Sequence, residues 1–258
     1  IFLSSLMLTG GGLGDFYGRK KVFISGIVLF SIASALCGLA SNGDWLIAFR
    51  CLQGIGAALM IPGSLALITA LVPAGQRGKA IGWWSMFSAL TTVIGPILGG
   101  LLAGSGLWRI IFFLNIPLAV LSIYLLIRFV PVPVHTTRQK LDWPGAVWAT
   151  IMLAGISYGI IEAGESGFDL ITIQIALGIG ILAGIIFVYR QFKATTPMLP
   201  PSLFRSANFT IGNGITALMY AGLGGFLFFY PLNLIQVQGY SPEIAGLTMI
   251  PFAVLIAG

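Results

Sequence analysis

Long apolar stretches separated by short polar segments cover almost the whole chain. The complete stretches are about 18–27 residues long, enough for a helix to cross a hydrocarbon core of ~30 Å. The alternation over ~10 residues that a transmembrane strand needs is absent. The pattern therefore predicts nine transmembrane helices, seven complete and two partial, at residues 1–14 (partial), 22–39, 45–71, 80–102, 110–130, 144–161, 170–189, 209–235 and 244–258 (partial).

The composition leaves room for few other classes of protein. Of 258 residues, 13 are Lys or Arg and 7 are Asp or Glu, so 8% are charged and 57% are hydrophobic. A soluble domain needs a larger charged shell, and disorder needs low hydrophobicity and high charge. Two cysteines, Cys37 and Cys51, cannot build a disulfide-rich module. The predicted fold class is an all-α polytopic membrane protein.

The chain begins at Ile1 and ends at Gly258, and both ends lie inside apolar stretches. No basic segment precedes the first stretch, so it does not have the pattern of a signal peptide. We interpret the chain as a fragment of a longer protein.

Eleven of the 13 basic residues occur on or beside every second loop between the predicted helices. Because basic loops remain in the cytoplasm, the loop between the first two helices is predicted to be cytoplasmic in a multi-pass protein of the plasma (inner) membrane. The charges are spread over four loops rather than forming one stripe, which argues against a nucleic-acid partner. These residues are Arg19, Lys20, Lys21, Arg77, Lys79, Arg128, Arg138, Lys140, Arg190, Lys193 and Arg205.

The first of these loops carries a compact motif, which we name the latch loop (residues 11–20). Its glycines permit a tight turn, and its carboxylate can either cap a helix or pair with an arginine. An ordinary short loop with cytoplasmic charges is the simpler interpretation. The motif consists of Gly11, Leu13, Asp15, Gly18, Arg19 and Lys20.

The latch loop resembles the signature G-x-L-x-D-x-x-G-R-K of the major facilitator superfamily, with Phe16 in place of a usual basic residue. The resemblance implies that the first predicted helix is the family's second and that the first is missing from the chain. In the family, the acid that couples transport to protons lies in that first helix.

The third predicted helix resembles a second family motif at Arg50, Gln53 and Gly54. Arg50 lies about 8 Å into the span by helix rise, where a guanidinium needs a partner or water. Either it reaches back to the membrane surface, or it faces a polar cavity and tunes a proton-carrying acid. Met60 lies seven residues beyond Gln53, on the same face, and simple helix packing is the alternative for it.

The fourth predicted helix contains the string G-P-x-x-G-G. Proline removes a backbone hydrogen bond and kinks a helix, and glycines four apart allow close packing. The string resembles the motif of the antiporter branch, whose proposed role is to seal the interface between the halves. It comprises Gly95, Pro96, Gly99 and Gly100.

Three further short sequence segments are similar to those of the 14-span drug:proton antiporters of the EmrB/QacA type. Trp108 and Trp143 lie in two of these segments, and simple anchoring at the membrane interface is the alternative for both. The three begin at Trp108, Leu141 and Pro231. The resemblance implies four segments: an N-terminal helical half at 1–130 (family helices 2–6), a cytoplasmic linker at 131–143, two extra helices at 144–190, and the start of the C-terminal half at 191–258. His135, in the linker, is interpreted as a solvated loop residue.

The resemblance implies a secondary transporter that uses the proton gradient, with no cofactor or metal, to export small amphipathic compounds or drugs. Its partners are the substrate, protons and the lipid bilayer, and it is expected to be monomeric. Asn213 and Tyr220 are predicted to line the cavity with Arg50, Gln53 and Met60, although packing is the alternative for Tyr220. One rival is a porter for a sugar, lipid or siderophore. A membrane enzyme is less favoured because the chain lacks convergent acids or histidines, and a structural or channel protein is disfavoured by the latch loop.

Overall fold

The computed structural model describes residues 1–131, 142–249 and 251–252, and every regular element in these ranges is helical. His135 and most of the predicted linker lie outside the described residues. The α-helices are α1 (Phe2–Tyr17), α2 (Arg19–Leu39), α3 (Gly43–Leu71), α4 (Arg77–Gly104), α5 (Ile110–Phe113), α6 (Asn115–Phe129), α7 (Trp143–Ser166), α8 (Ile171–Lys193), α9 (Ala207–Leu232) and α10 (Pro242–Leu247).

Helices occupy each of the predicted apolar stretches. Six segments of the described chain are long and apolar enough to cross a membrane. They correspond to six of the seven complete spans predicted, and α4, with 28 residues, covers the seventh. The last predicted span begins in α10 and runs beyond the described residues. The all-α, polytopic membrane fold is therefore confirmed. The six are Arg19–Leu39, Gly43–Leu71, Ile110–Phe129, Trp143–Gly164, Ile171–Lys193 and Ala207–Val237.

The chain divides into two compact units, each described by itself. The first comprises residues 1–74 and 113–201 and contains α1–α3 and α6–α8. Small residues fill its helix interfaces, including Ala33, Ser34 and Cys37 on α2 and Ala58 on α3. A side chain at Gly26 would come within 2.9 Å of the Gly56 carbonyl oxygen, so glycine is what allows α2 and α3 to approach.

Hydroxyl groups join α1 to α7 within the first unit. The Oγ1 atoms of Thr9 and Thr150 are 3.2 Å apart, and the Oγ atoms of Ser4 and Ser157 are 3.4 Å apart. Hydrogen bonds between helices replace the hydration that a bilayer cannot supply.

The second unit comprises residues 75–112 and 202–258 and contains α4, α9 and α10. A π-helical turn, Asn233–Val237, extends α9. The rings of Phe226 and Phe252 lie 5.6 Å apart between centroids, which links the end of α9 to the segment after α10.

Large apolar side chains cover the outer faces of the helices. Ile32 and Phe192 in the first unit are 56% and 72% exposed, and Leu218 in the second is 77% exposed. Such surfaces are unfavourable in water and favourable in hydrocarbon, which agrees with the membrane fold.

Candidate functional site

The latch loop turns the chain from α1 into α2 through a single residue. α1 ends at Tyr17, α2 begins at Arg19, and Gly18 between them has φ 105° and ψ 120°. A side chain is strained at this positive φ. The glycine therefore sets the angle at which the motif's charged residues leave the turn.

The charged residues of the latch loop connect three helices. The Arg19 Nε atom lies 2.9 Å from Asp15 Oδ1, and Nη1 of Arg19 donates to the Ala66 carbonyl oxygen on α3 at 3.1 Å. Asp15 therefore pairs with an arginine, which was one of the two predicted roles. The side chains of Arg19 and Asp15 are 34% and 49% exposed, so water screens the pair.

Lys20 makes a separate connection to α6. Its Nζ atom donates to the Val130 carbonyl oxygen at 2.5 Å, directly after the last residue of α6. A cation at a helix C-terminus satisfies an unpaired carbonyl and interacts favourably with the helix dipole. Gly11 faces Pro62 of α3, and Leu13 is half-buried. The motif therefore links the α1–α2 turn to both α3 and α6.

A cavity of about 960 Å³ lies along the side of α1 that leads to the latch loop. Pockets that take drug-sized ligands have volumes of roughly 300–1,000 Å³. The walls are mainly apolar, and both Asp15 and Asp142 belong to the lining, although the Asp142 side chain is only 4% exposed. The lining residues include Ser4, Met7, Leu8, Gly11, Gly12 and Asp15 on α1, Pro62 on α3, Leu153 on α7, and Thr195, Pro197 and Met198.

The predicted cavity residues fall into separate places in the structure. Arg50 is exposed and Gln53 is buried. The Arg50 Nη1 atom donates a hydrogen bond to the Gln53 Oε1 atom at 2.8 Å. Gly54 packs against Phe2 of α1, and Met60 is half-buried. None of these four is among the described residues that line the 960 Å³ cavity.

The other two predicted cavity residues lie on α9 in the second unit, and both are exposed. The Asn213 Nδ2 atom donates to the Phe209 carbonyl oxygen at 2.8 Å, and the Tyr220 side chain is 69% exposed. A common cavity for the two helices remains a prediction.

The residues of the predicted antiporter motif all lie in α4, in the second unit. Within the described part of the chain, no atom lies within 4 Å of a Cβ placed on Gly95 or Gly99. Gly100 is half-buried, and the Pro96 side chain lies outside the part of the chain that the structure describes. The sealing role of the motif remains a prediction.

Sequence reasoning missed a buried polar cluster at the base of α7 and α8, around Asp142. The Asp142 carboxylate, 4% exposed, accepts from the Gly145 backbone N–H at 3.0 Å and from Nη2 of Arg190 at 3.2 Å. Nε2 of Gln191 donates to the same carboxylate at 3.3 Å, and Oε1 of Gln191 accepts from the Leu199 N–H at 2.9 Å.

A signal for part of this cluster was present in the sequence. Aspartate followed by Trp143 and Pro144 fits a helix N-cap with proline in the first turn. We instead assigned Asp142 to the linker. Its partners on α8 are 48 and 49 residues away, and no local pattern points to them.

Comparison with known proteins places the chain in a family. Residues 1–258 match the family described as Major Facilitator Superfamily. The chain belongs to the Major Facilitator Superfamily, as the latch loop predicted.

Several curated relatives are similar to the chain over nearly its whole length. It is 34% identical to the "Methylenomycin A resistance protein" of Bacillus subtilis, over 99% of the chain and 55% of the relative. It is 33% identical to "Multidrug resistance protein 3" of the same organism, over 95% of the chain and 48% of the relative. It is 33% identical to the "Tetracenomycin C resistance and export protein" of Streptomyces glaucescens, over 96% of the chain and 46% of the relative. The chain thus spans about half the length of these relatives.

Proposed function

We propose that the protein exports small amphipathic compounds, including drugs, by proton-coupled alternating access. The observation that carries the proposal is the position of the Arg19 guanidinium, which contacts Asp15 on α1 and the Ala66 carbonyl on α3. This exposed contact sits on a family motif at the end of three helices. An exposed ion pair is worth about 0–1 kcal/mol, so it can break and re-form during a transport cycle at small cost.

The cavity along α1 supports the proposed class of substrate. Met7, Leu8 and Met198 give it an apolar and adaptable wall, while Asp15, whose side chain is 49% exposed, adds a carboxylate to this wall. An apolar volume with a few polar groups suits an amphipathic compound, and carboxylates favour a cationic one. The relatives named for resistance to methylenomycin A and for tetracenomycin C resistance and export favour the same class.

The proposal extends to the coupling ion and the membrane. We infer that Arg50 tunes a proton-carrying acid, that the latch loop faces the cytoplasm across the plasma membrane, and that the transporter works as a monomer. We also assign it to the 14-span drug:proton antiporters, with α7 and α8 as the extra pair between the halves. The alternation of basic loops supports the orientation.

The test uses the full-length protein in sealed vesicles with an imposed pH gradient. Fluorescent cationic dye should move against its gradient, and movement should stop when an ionophore collapses the pH gradient. Asp15→Asn should reduce the initial rate at least tenfold with an unchanged amount of protein in the membrane. Asp44→Asn, which changes an exposed acid at the start of α3, is the matched control and should retain the wild-type rate.

A second pair of variants tests the antiporter motif. Gly95→Leu should abolish coupled transport, whereas Gly82→Leu, also on α4 with open space at the added side chain, should retain it. Dye transport that ignores the pH gradient would contradict proton coupling. Transport of a sugar or siderophore, with no dye movement, would favour a porter for another solute class.

A further inference from the structure

An open groove of about 600 Å³ runs along the α7–α8 hairpin, separate from the cavity beside α1. Its floor lies at Gly180 and Gly184 of α8, and Met152 and Ile156 of α7 form one wall. Both helices are candidate membrane spans, and the described residues that line the groove are apolar apart from the Tyr189 hydroxyl. The proposed transport function does not require it.

Glycines create the groove. A side chain at Gly180 would come within 2.9 Å of the Ile156 backbone nitrogen, and one at Gly184 within 3.1 Å of the Met152 sulfur. The helices therefore approach closely at these two positions, and both glycines belong to the lining of the groove. From Gly180 to Phe192 the groove is about 18 Å long by helix rise, and one leaflet of the hydrocarbon core is about 15 Å deep. One acyl chain therefore fits its length.

A positive charge lies at one end of the groove. Tyr189 and Phe192 line that end, and Nζ of Lys193 is 4.8 Å from the centre of the Tyr189 ring. Lys193 is exposed and forms no ion pair with a carboxylate of the described residues. Tyrosine is enriched where a helix leaves the membrane, and a basic residue at this depth attracts anionic head groups.

We propose that the groove is a binding site for an anionic phospholipid. One acyl chain lies along Gly180, Gly184 and Val188, and the head-group phosphate accepts hydrogen bonds from the Lys193 ammonium. The floor offers no charged group to orient a transported drug, whereas an apolar channel that ends at a cation matches the two parts of an anionic lipid. The site therefore distinguishes lipids by head-group charge.

Native mass spectrometry of the purified full-length protein tests this inference. Titration with phosphatidylglycerol and with phosphatidylcholine should show preferential retention of the first. Lys193→Gln should weaken phosphatidylglycerol binding about fivefold, as expected for one basic residue near a membrane surface. Lys193→Arg should preserve binding, and Lys21→Gln, which removes an exposed lysine outside the groove, is the matched control.

Gly184→Leu places a side chain against Met152 in the wall of the groove and should remove the tightly bound lipid, whereas Gly178→Leu, on the same helix with open space, should not. Gel filtration establishes that each variant is folded. If Gly184→Leu does not fold, the Lys193 variants still test the inference. Equal retention of both lipids by the wild type would overturn the inference. Unchanged phosphatidylglycerol binding by Lys193→Gln would also overturn it.

Discussion

Two aspartate–arginine pairs in the first unit have similar geometry and similarly exposed arginines, but their aspartates differ in burial. Arg19 and Asp15 are 2.9 Å apart on neighbouring turns at the α1–α2 junction, and Arg190 and Asp142 are 3.2 Å apart at the base of α7 and α8. The side chain of Asp15 is 49% exposed, whereas that of Asp142 is 4% exposed. Burial of the aspartate, not the distance between the charges, distinguishes the two pairs.

This difference assigns the pairs different tasks. Water can replace either partner of the Asp15–Arg19 pair, so that pair suits a contact that changes during the proposed transport cycle. Loss of Asp142 would leave the Gly145 N–H, Gln191 and Arg190 without an acceptor, and unsatisfied buried groups are costly. The Arg190 Nε atom is already buried without a partner among the described residues. The Asp142 cluster therefore suits a permanent anchor between α7 and α8.

The largest expected effect is that of Asp142→Ala. It removes a helix cap and two side-chain hydrogen bonds to a carboxylate, so the free energy of unfolding should fall by about 3 kcal/mol. The measurement is unfolding of the full-length protein in mixed detergent and SDS micelles, followed by circular dichroism. A loss below about 1 kcal/mol would show that this pair is no firmer than the exposed one.

The double variant Asp142→Ala with Arg190→Gln serves as its control. Removing the charge left behind should recover part of the lost stability if the pair is coupled. Additive losses would mean that the two residues act independently, and the anchor would then consist of the cap alone.

The next effect concerns the turn that positions the exposed pair. Gly18→Ala places a side chain at φ 105°, which should cost about 1–2 kcal/mol in the same unfolding measurement. Gly75→Ala is the control, because a side chain there meets open space. If Gly18→Ala leaves stability unchanged, the backbone turn does not determine the geometry of the latch loop.

The helices were predictable because hydropathy is a local property. Each predicted stretch contains a helix, and the latch loop was recognisable because its motif lies within ten consecutive residues, 11–20. The Asp142 cluster was not found, since its partners are 48 and 49 residues away. Only its cap has a local signal, and we read that segment as a linker.

The glycines show the same limit of prediction from local sequence. Gly26 and Gly56 form a close contact between α2 and α3, whereas Gly95 and Gly99 have no neighbour within 4 Å of an added Cβ in the described part of the chain. Both sets occur in apolar helices, and spacing alone does not reveal which surface a glycine faces. The sequence therefore predicts helices better than it predicts which of their faces meet.

A smaller effect is expected for Lys20→Gln. The substitution removes the charge at the end of α6 but keeps a donor near the Val130 carbonyl, so the loss should be about 0.5–1 kcal/mol. Lys21→Gln, next in the chain and exposed, should change stability by less. Equal losses for the two variants would indicate a general charge effect instead of a specific contact with α6.

The smallest effect on stability is predicted for Asp15→Asn, although the same variant should strongly reduce transport. Because the pair with Arg19 is half-exposed, the free energy of unfolding should fall by no more than about 0.5 kcal/mol. The difference from the wild type should shrink further at ~1 M salt, where charges are screened within about 3 Å. A loss as large as that of Asp142→Ala would make Asp15 a second anchor and would contradict a contact that opens at small energetic cost in the proposed transport cycle.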